Sequence, residues 1–151
     1  MEQTVSPLSV RDYERLEAQR SVVTSFVSES SLEKYQTAAG KLGTLRALLE
    51  AEVFKADQTY ELQCMGIVLG DALAQQHRFE WVAVEDDFGR DLALRVRQTN
   101  VLLFPMTMIS KRLERGETVN VFDLFNGTAE IAFERAADEL GSIPTKVRNA
   151  T

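Results

Sequence analysis

The sequence has very little of the residue types that most often bind metals or act as nucleophiles. Among its 151 residues there is one cysteine, Cys64, and one histidine, His77. A lone cysteine excludes an internal disulfide, and one residue of each type falls short of a structural zinc site. Both lie on one predicted helix, where a separation of 13 positions corresponds to about 20 Å. We therefore expect no cofactor, no metal and no cysteine–histidine catalysis.

Long apolar runs, a secretory leader and an excess of positive charge are also missing. The apolar stretch at 101–106 is far shorter than the roughly 20 residues that a membrane-spanning helix needs. The chain starts Met1-Glu2-Gln3, without a basic segment leading into an apolar one, so we expect a soluble, cytoplasmic protein. The net charge of −6 repels a phosphate backbone. We expect neither nucleic acid nor a membrane as partner, which leaves another protein.

The first third of the chain contains two helix-start signals. Ser9 and Asp12 have the spacing of a capping box, and Ser30 and Glu33 repeat that spacing. Gly40 and Gly43 are predicted to interrupt the helix that follows. The apolar residues predicted to form the inward face of the first helix are Val10, Tyr13, Leu16, Val23 and Val27.

A longer, central helix is predicted from Asp57, as its N-cap, to Gln76. Gly66 and Gly70 are one helical turn apart and leave one side of this helix with little bulk. Glycine in a helix costs about 1 kcal/mol and usually has a packing reason. The pair therefore indicates close approach, either of the protein's own sheet or of a ligand or partner helix.

After His77 the apolar period changes from 3.6 to 2. The segments "FEWVAVE" and "DLALRVR" alternate as strands do, and "VLLFP" predicts a third strand that ends at Pro105. Two more helices are predicted, ending at Gly116 and Gly141. Short connections favour an antiparallel meander. We therefore predict one α+β domain over 1–151, with N-terminal helices at about 9–56 and a three-stranded antiparallel sheet packed against several helices in two layers.

The stretch "EDDFGRD", residues 85–91, is the most chemically suggestive in the chain. It lacks the length and the ligand alternation of a calcium loop, and between two strands it is typical of a hairpin turn with Gly89 in a left-handed conformation. Loops often carry function, so a ligand or partner contact stays open for it. The residues we assign to that contact comprise the hairpin's charges and a possible basic face beside them: Glu85, Asp86, Asp87, Arg90, Arg95, Lys111 and Arg112.

Three blocks in a fixed order resemble an uncharacterised bacterial family, domain of unknown function 3806. The blocks are "LQCMGIVLGDAL", "WVAVEDDFGRDLALR" and "VLLFPMTMISKRLERGE", within a region of about 57–140. The resemblance implies a bacterial origin and a similar α+β fold. It supplies no catalytic residues.

The absence of catalytic motifs and the acidic balance favour a non-enzymatic interaction or regulatory module, such as a toxin-neutralising protein. The alternative is a small-ligand-binding protein or a carboxylate-based enzyme with its site near the 85–91 hairpin. The two hypotheses differ in geometry, because a site requires the carboxylates to converge on a concave pocket whereas a contact surface requires them to face solvent.

Overall fold

The local signals in the sequence set several of the helix boundaries. The computed structural model describes residues 2–141. The α-helices of this part of the chain are α1 (Val10–Thr24), α2 (Leu32–Tyr35), α3 (Ala38–Glu50), α4 (Thr59–Gln76), α5 (Met108–Glu114) and α6 (Val121–Gly141). Short 3-10 turns at Glu29–Ser31 and Pro105–Thr107 precede α2 and α5.

The cap at Ser9 forms as the sequence predicts, and Asn120 caps α6. The Asp12 amide donates to Ser9 Oγ (3.2 Å), and the Ser9 amide donates to the Asp12 carboxylate (2.7 Å), which completes the capping box of α1. Asn120 Oδ1 accepts from the Asp123 amide at 3.0 Å at the start of α6. Gly116 follows α5 with a positive φ of 76°, the left-handed conformation that ends a helix.

Three predicted helix boundaries are wrong. Ser30 makes no side-chain cap, because it lies inside the 3-10 turn before α2. The helix α4 starts at Thr59, after Gln58 rather than at Asp57. Gly40 and Gly43 both lie within α3, which Thr37 caps by accepting from the Gly40 amide at 2.9 Å.

The predicted inward face of α1 is only partly right. Leu16 and Val23 are fully buried, whereas Val10 and Tyr13 are 74% and 56% exposed. At this end of the helix, the side chain that turns inward is Asp12, which is buried. The apolar spacing therefore predicted the wrong inward side chains in the first turn, because the charged residue Asp12 takes the inward position there.

The sheet has four antiparallel strands in residues 2–141, and the prediction of three is wrong. The strands are β1 (Thr4–Ser6), β2 (Phe79–Asp86), β3 (Gly89–Val96) and β4 (Leu102–Leu103), in the order β1-β2-β3-β4. The added strand, β1, pairs with β2 in the register Val5↔Val84. Three residues are too few to show a period, and their partner strand lies far along the chain. The meander of β2, β3 and β4 is confirmed.

The helix α4 is the centre of the helical layer and packs against α1, α3, α5 and β2. Its two predicted close-packing positions both contact the protein itself. A Cβ at Gly66 would lie 2.4 Å from the Met106 carbonyl oxygen, and one at Gly70 would lie 2.5 Å from Trp81 Cζ2. The sheet therefore approaches α4 at Gly70, as the first of the two predicted alternatives requires, whereas at Gly66 the close neighbour is the 3-10 turn Pro105–Thr107. None of the helices in residues 2–141 has the length and apolarity to cross a bilayer.

Candidate functional site

The 85–91 stretch forms the tip of the β2–β3 hairpin. The strand register continues to Asp86↔Gly89, which leaves Asp87 and Phe88 as the connecting residues. Asp86 Oδ1 accepts from the Phe88 amide at 2.8 Å, and Gly89 has a positive φ of 130°. The turn is therefore built from a side-chain cap and a glycine-dependent backbone, and it holds Phe88 with its side chain 98% exposed.

One arginine fixes the base of this tip to α1. Arg90 Nη2 lies 2.5 Å from Asp12 Oδ2, and Arg90 Nη1 lies 3.5 Å from Glu85 Oε1. The hydrogen bonds from Arg90 lower the pKa of the Asp12 carboxyl to about 2, with further help from Ser9. The same carboxylate caps α1 and anchors the hairpin, so the direction of the tip is set by the first turn of α1.

The other predicted site cations lie apart from the tip. Arg95 pairs across the strands with Glu80 (2.6 Å). That pair is five strand positions from the Glu85–Arg90 pair, or about 16 Å. Lys111 is exposed on α5. Arg112, on the same helix, donates to the Met108 carbonyl oxygen at 2.9 Å. The predicted residues thus form three separate groups: the hairpin tip, the Glu80–Arg95 end of the sheet, and α5.

A cleft of about 540 Å³ lies elsewhere, between α1, α2, α3, α4 and β2. Its centre is a bidentate ion pair in which Arg20 Nε and Nη2 each lie 2.7 Å from an oxygen of Asp71. Trp81 Nε1 donates to Asp71 Oδ1 at 3.0 Å, and Arg20 Nη1 contacts Glu17 at 2.7 Å. The Asp71 carboxylate raises the pKa of the Arg20 guanidinium further above its usual range.

Lys41 and Tyr35 line the opposite wall of this cleft. Lys41 Nζ lies 3.2 Å from the carbonyl oxygens of Tyr35 and Gln36, which it caps at the end of α2. Gln75 Nε2 donates to the same Gln36 oxygen at 2.6 Å. Burial lowers the pKa of Lys41 and raises that of Tyr35. The polar groups of the cleft largely bind one another, so its clearest role is to lock α1 and α2 against α4.

Sequence reasoning missed the Arg20–Asp71 pair because its members are 51 residues apart. A usable signal was present: Asp71 directly follows the uncharged run "CMGIVLG", residues 64–70, and all seven of those positions are buried in the structure. A carboxylate next to such a stretch requires a partner. Gly70 explains why Trp81 also reaches Asp71: without a Cβ at position 70, the Trp81 ring can lie across α4 beside that carboxylate.

Cys64 and His77 have structural positions in the helical layer. Cys64 is fully buried, and burial raises the pKa of its thiol. His77 caps the end of α4 and stacks on Phe125, with ring centroids 5.6 Å apart. Within residues 2–141 no three His, Cys, Asp or Glu side chains form a cluster that could hold a metal ion.

Comparison with known proteins relates this chain to one family and one fold. A family model described as "Domain of unknown function (DUF3806)" matches residues 41–125, from α3 to the first turns of α6. The match includes Asp71, Trp81 and the hairpin, while Asp12 and Arg20 of α1 lie outside it. No curated protein matches the sequence.

A crystal structure from Bacteroides thetaiotaomicron VPI-5482, at 1.50 Å resolution, has a similar fold, with a TM-score of 0.70 and 12% sequence identity. The similarity covers 85% of this chain and 47% of the Bacteroides chain. The present chain therefore spans about half the length of that protein, and the likeness concerns the fold alone.

Proposed function

The chain belongs to the DUF3806 family, and we propose that it is a non-enzymatic protein-interaction module that contacts its partner through the β2–β3 hairpin tip. One observation carries the proposal: the Phe88 side chain is 98% exposed on a turn that is fixed on both sides. A buried aromatic anchor is a common source of binding energy in interfaces. An aromatic ring on a turn whose backbone is already ordered supplies such an anchor with little cost of ordering the backbone.

The surroundings of Phe88 indicate the chemistry of the partner. Glu85, Asp86 and Asp87 flank the ring, and Arg90 is already paired with Asp12. The tip therefore presents an apolar group inside an acidic rim. Charge complementarity favours a partner with an apolar pocket surrounded by basic residues. Neutralisation of a toxin with a basic surface is one function that fits this chemistry.

The first turn of α1 extends the proposed surface. Val10 and Tyr13 are exposed neighbours at helical spacing, and Asp12 between them holds the hairpin through Arg90. Exposed apolar side chains that lie beside one another are typical of contact surfaces. The proposed surface is therefore the hairpin tip together with this turn.

The alternative, an enzyme or ligand site built on the same carboxylates, has less support. Glu85 pairs with Arg90, and Asp86 accepts from the Phe88 amide, so both carboxylates have structural roles at an exposed turn. None of the carboxylates of Glu85, Asp86 and Asp87 lines any of the three clefts described in residues 2–141. General acid–base work needs a group that is held beside a substrate in a concave site.

The proposal is tested by affinity capture from the native host with wild-type protein and Phe88→Ala. The matched control is Phe104→Ala, which removes another exposed aromatic ring (40% exposed) away from the tip. We expect a specific protein to be retained by wild type and by the control, and to be reduced about tenfold or more with Phe88→Ala. Circular dichroism checks that both variants are folded. Retention of the same proteins by Phe88→Ala would remove the tip from the interface.

A further inference from the structure

The end of the sheet opposite the hairpin tip carries a pocket of about 490 Å³ with an excess of positive charge. Three arginines line it, Arg78, Arg95 and Arg97, against the two glutamates Glu80 and Glu139. The whole chain has a net charge of −6, so a local excess of cations runs against its overall balance. The volume lies within the range of about 300–1,000 Å³ that is usual for small-molecule sites.

The strand register explains how the arginines come together. The Arg97 amide donates to the Arg78 carbonyl oxygen at 2.9 Å, which places these two residues opposite each other just beyond the Phe79↔Val96 pair. Like charges directly opposite in a sheet are destabilising. The arrangement therefore costs stability in the free protein, and an anion between the two guanidinium groups would relieve that cost.

A single carboxylate serves two of the three arginines. Glu80 Oε1 accepts from Arg95 at 2.6 Å, and Glu80 Oε2 accepts from Arg97 Nη1 at 3.2 Å. The guanidinium of Arg78 makes no hydrogen bond or ion pair with any residue in 2–141. Arg97 is 56% exposed and uses one nitrogen, so both groups keep donors for a ligand.

The turn at 97–100 adds a backbone donor that already holds an anion. Gln98 has a positive φ of 65°, and Thr99 Oγ1 closes the turn by donating to the Val96 carbonyl oxygen at 2.8 Å. The Asn100 amide is directed at the carboxylate of Glu139, with its nitrogen 2.8 and 3.1 Å from the two oxygens. A carboxylate from α6 thus occupies the anion position that the turn creates.

We propose that this pocket binds a small phosphate-bearing anion, held by the guanidinium groups of Arg78 and Arg97 and by the Asn100 amide, with Glu139 as an intramolecular competitor. Guanidinium groups match phosphate oxygens in bidentate geometry. A phosphate group carries more charge than a carboxylate, so it bridges two guanidiniums and replaces Glu139 at the amide. The inference is independent of the hairpin tip, which lies at the other end of the same strands.

The proposal is tested by calorimetric titration of the full chain with inorganic pyrophosphate at constant ionic strength. We expect saturable binding, weakened about tenfold or more by Arg78→Gln, because the change removes one of the two guanidinium groups that hold the phosphate. Glu139→Gln is expected to strengthen binding several-fold, since it removes the competing charge. The control is Arg11→Gln, which deletes an exposed arginine of α1 and should leave the affinity unchanged.

Three results would overturn the proposal. If pyrophosphate shows no saturable binding at millimolar concentration, the proposed site does not exist. Equal weakening by Arg78→Gln and Arg11→Gln would show only general charge attraction. Weaker binding with Glu139→Gln would show that Glu139 supports the pocket rather than competing for it. A parallel titration with citrate separates phosphate recognition from anion binding in general, because we expect citrate to bind at least tenfold more weakly.

Discussion

Two Arg–Asp ion pairs hold α1 in place. Their chemistry is the same, but the structural role of each pair differs. Arg20 pairs with Asp71 in the interior cleft, where their side chains are 27% and 13% exposed, and Trp81 shares the carboxylate. Arg90 pairs with Asp12 at the base of the hairpin, where they are 36% and 9% exposed. The first pair joins α1 to α4 and so stabilises the fold. The second joins α1 to the hairpin and so sets the direction of Phe88.

The difference lies in what else depends on each carboxylate. Asp71 binds groups from α1 and β2, so its loss leaves a partly buried guanidinium and an indole N–H without their acceptor. Asp12 is itself buried, but it binds only Arg90, which is 36% exposed, and the cap of its own helix. A charge pair that water screens contributes little to the free energy of unfolding. Removing one partner of an interior pair is strongly destabilising, because it leaves the other charge unpaired. The comparison therefore predicts a graded series of effects.

The largest effect is expected from Asp71→Asn. The change removes the charge opposite Arg20, and we expect the free energy of unfolding to fall by about 2–4 kcal/mol, somewhat less than for a fully buried pair. Glu50→Gln is the control, since it breaks the exposed Arg46–Glu50 pair (3.9 Å) and should cost under about 0.5 kcal/mol. Urea denaturation measures both. Equal losses of stability would show that the Arg20–Asp71 pair stabilises the fold no more than an exposed pair does.

An intermediate effect is expected from Gly89→Ala in the hairpin turn. The backbone at Gly89 has φ of 130°, and no atom lies within 4 Å of the added Cβ, so the cost comes from the backbone alone. We expect a loss of about 1 kcal/mol or more. Gly127→Ala is the matched control, because Gly127 is helical with equally open space and should be neutral or slightly stabilised. Unchanged thermal stability of Gly89→Ala would argue against the turn geometry.

Asp12→Asn is expected to cost less than Asp71→Asn at neutral pH, because water screens the exposed Arg90, and the signature of this change is its dependence on pH. The folded pKa of Asp12, about 2, lies below the usual 3.8, so the charged carboxylate stabilises the fold above pH 3.8, and this contribution is lost as the pH falls to 2. The stability difference between wild type and Asp12→Asn should therefore shrink over that interval. A difference that stays constant from pH 5 to pH 2 would show that the Asp12–Arg90 pair does not stabilise the fold.

Local signals made part of the fold predictable. The capping box at Ser9, the alternation of β2 and β3, and the positive φ at Gly89 all follow from a few neighbouring residues. Of the two glycines in α3, Gly40 was misread because tertiary contact outweighs propensity: a Cβ there would lie 1.9 Å from the Lys34 carbonyl oxygen, whereas Gly43 has open space around it. The tight passage of α2 over α3 requires glycine there, and no periodicity reveals it.

The pairs that join distant segments were not predictable from patterns. The strand β1 reaches its partner across nearly 80 residues, and Arg20 reaches Asp71 across 51. The sequence showed the charged residues of the hairpin tip. It did not show that the Phe88 side chain is exposed to solvent, which is the feature on which the proposed contact depends. Arg78 stayed unnoticed for a similar reason, since only the register places it opposite Arg97.

The most direct test of the proposed contact surface is site-specific photo-crosslinking in the native host. A photoreactive phenylalanine analogue is placed at position 88 in one variant and at position 104 in another. We predict a discrete crosslinked protein from position 88 that is absent from position 104. Crosslinks of equal yield at both positions, or none at position 88, would contradict the account.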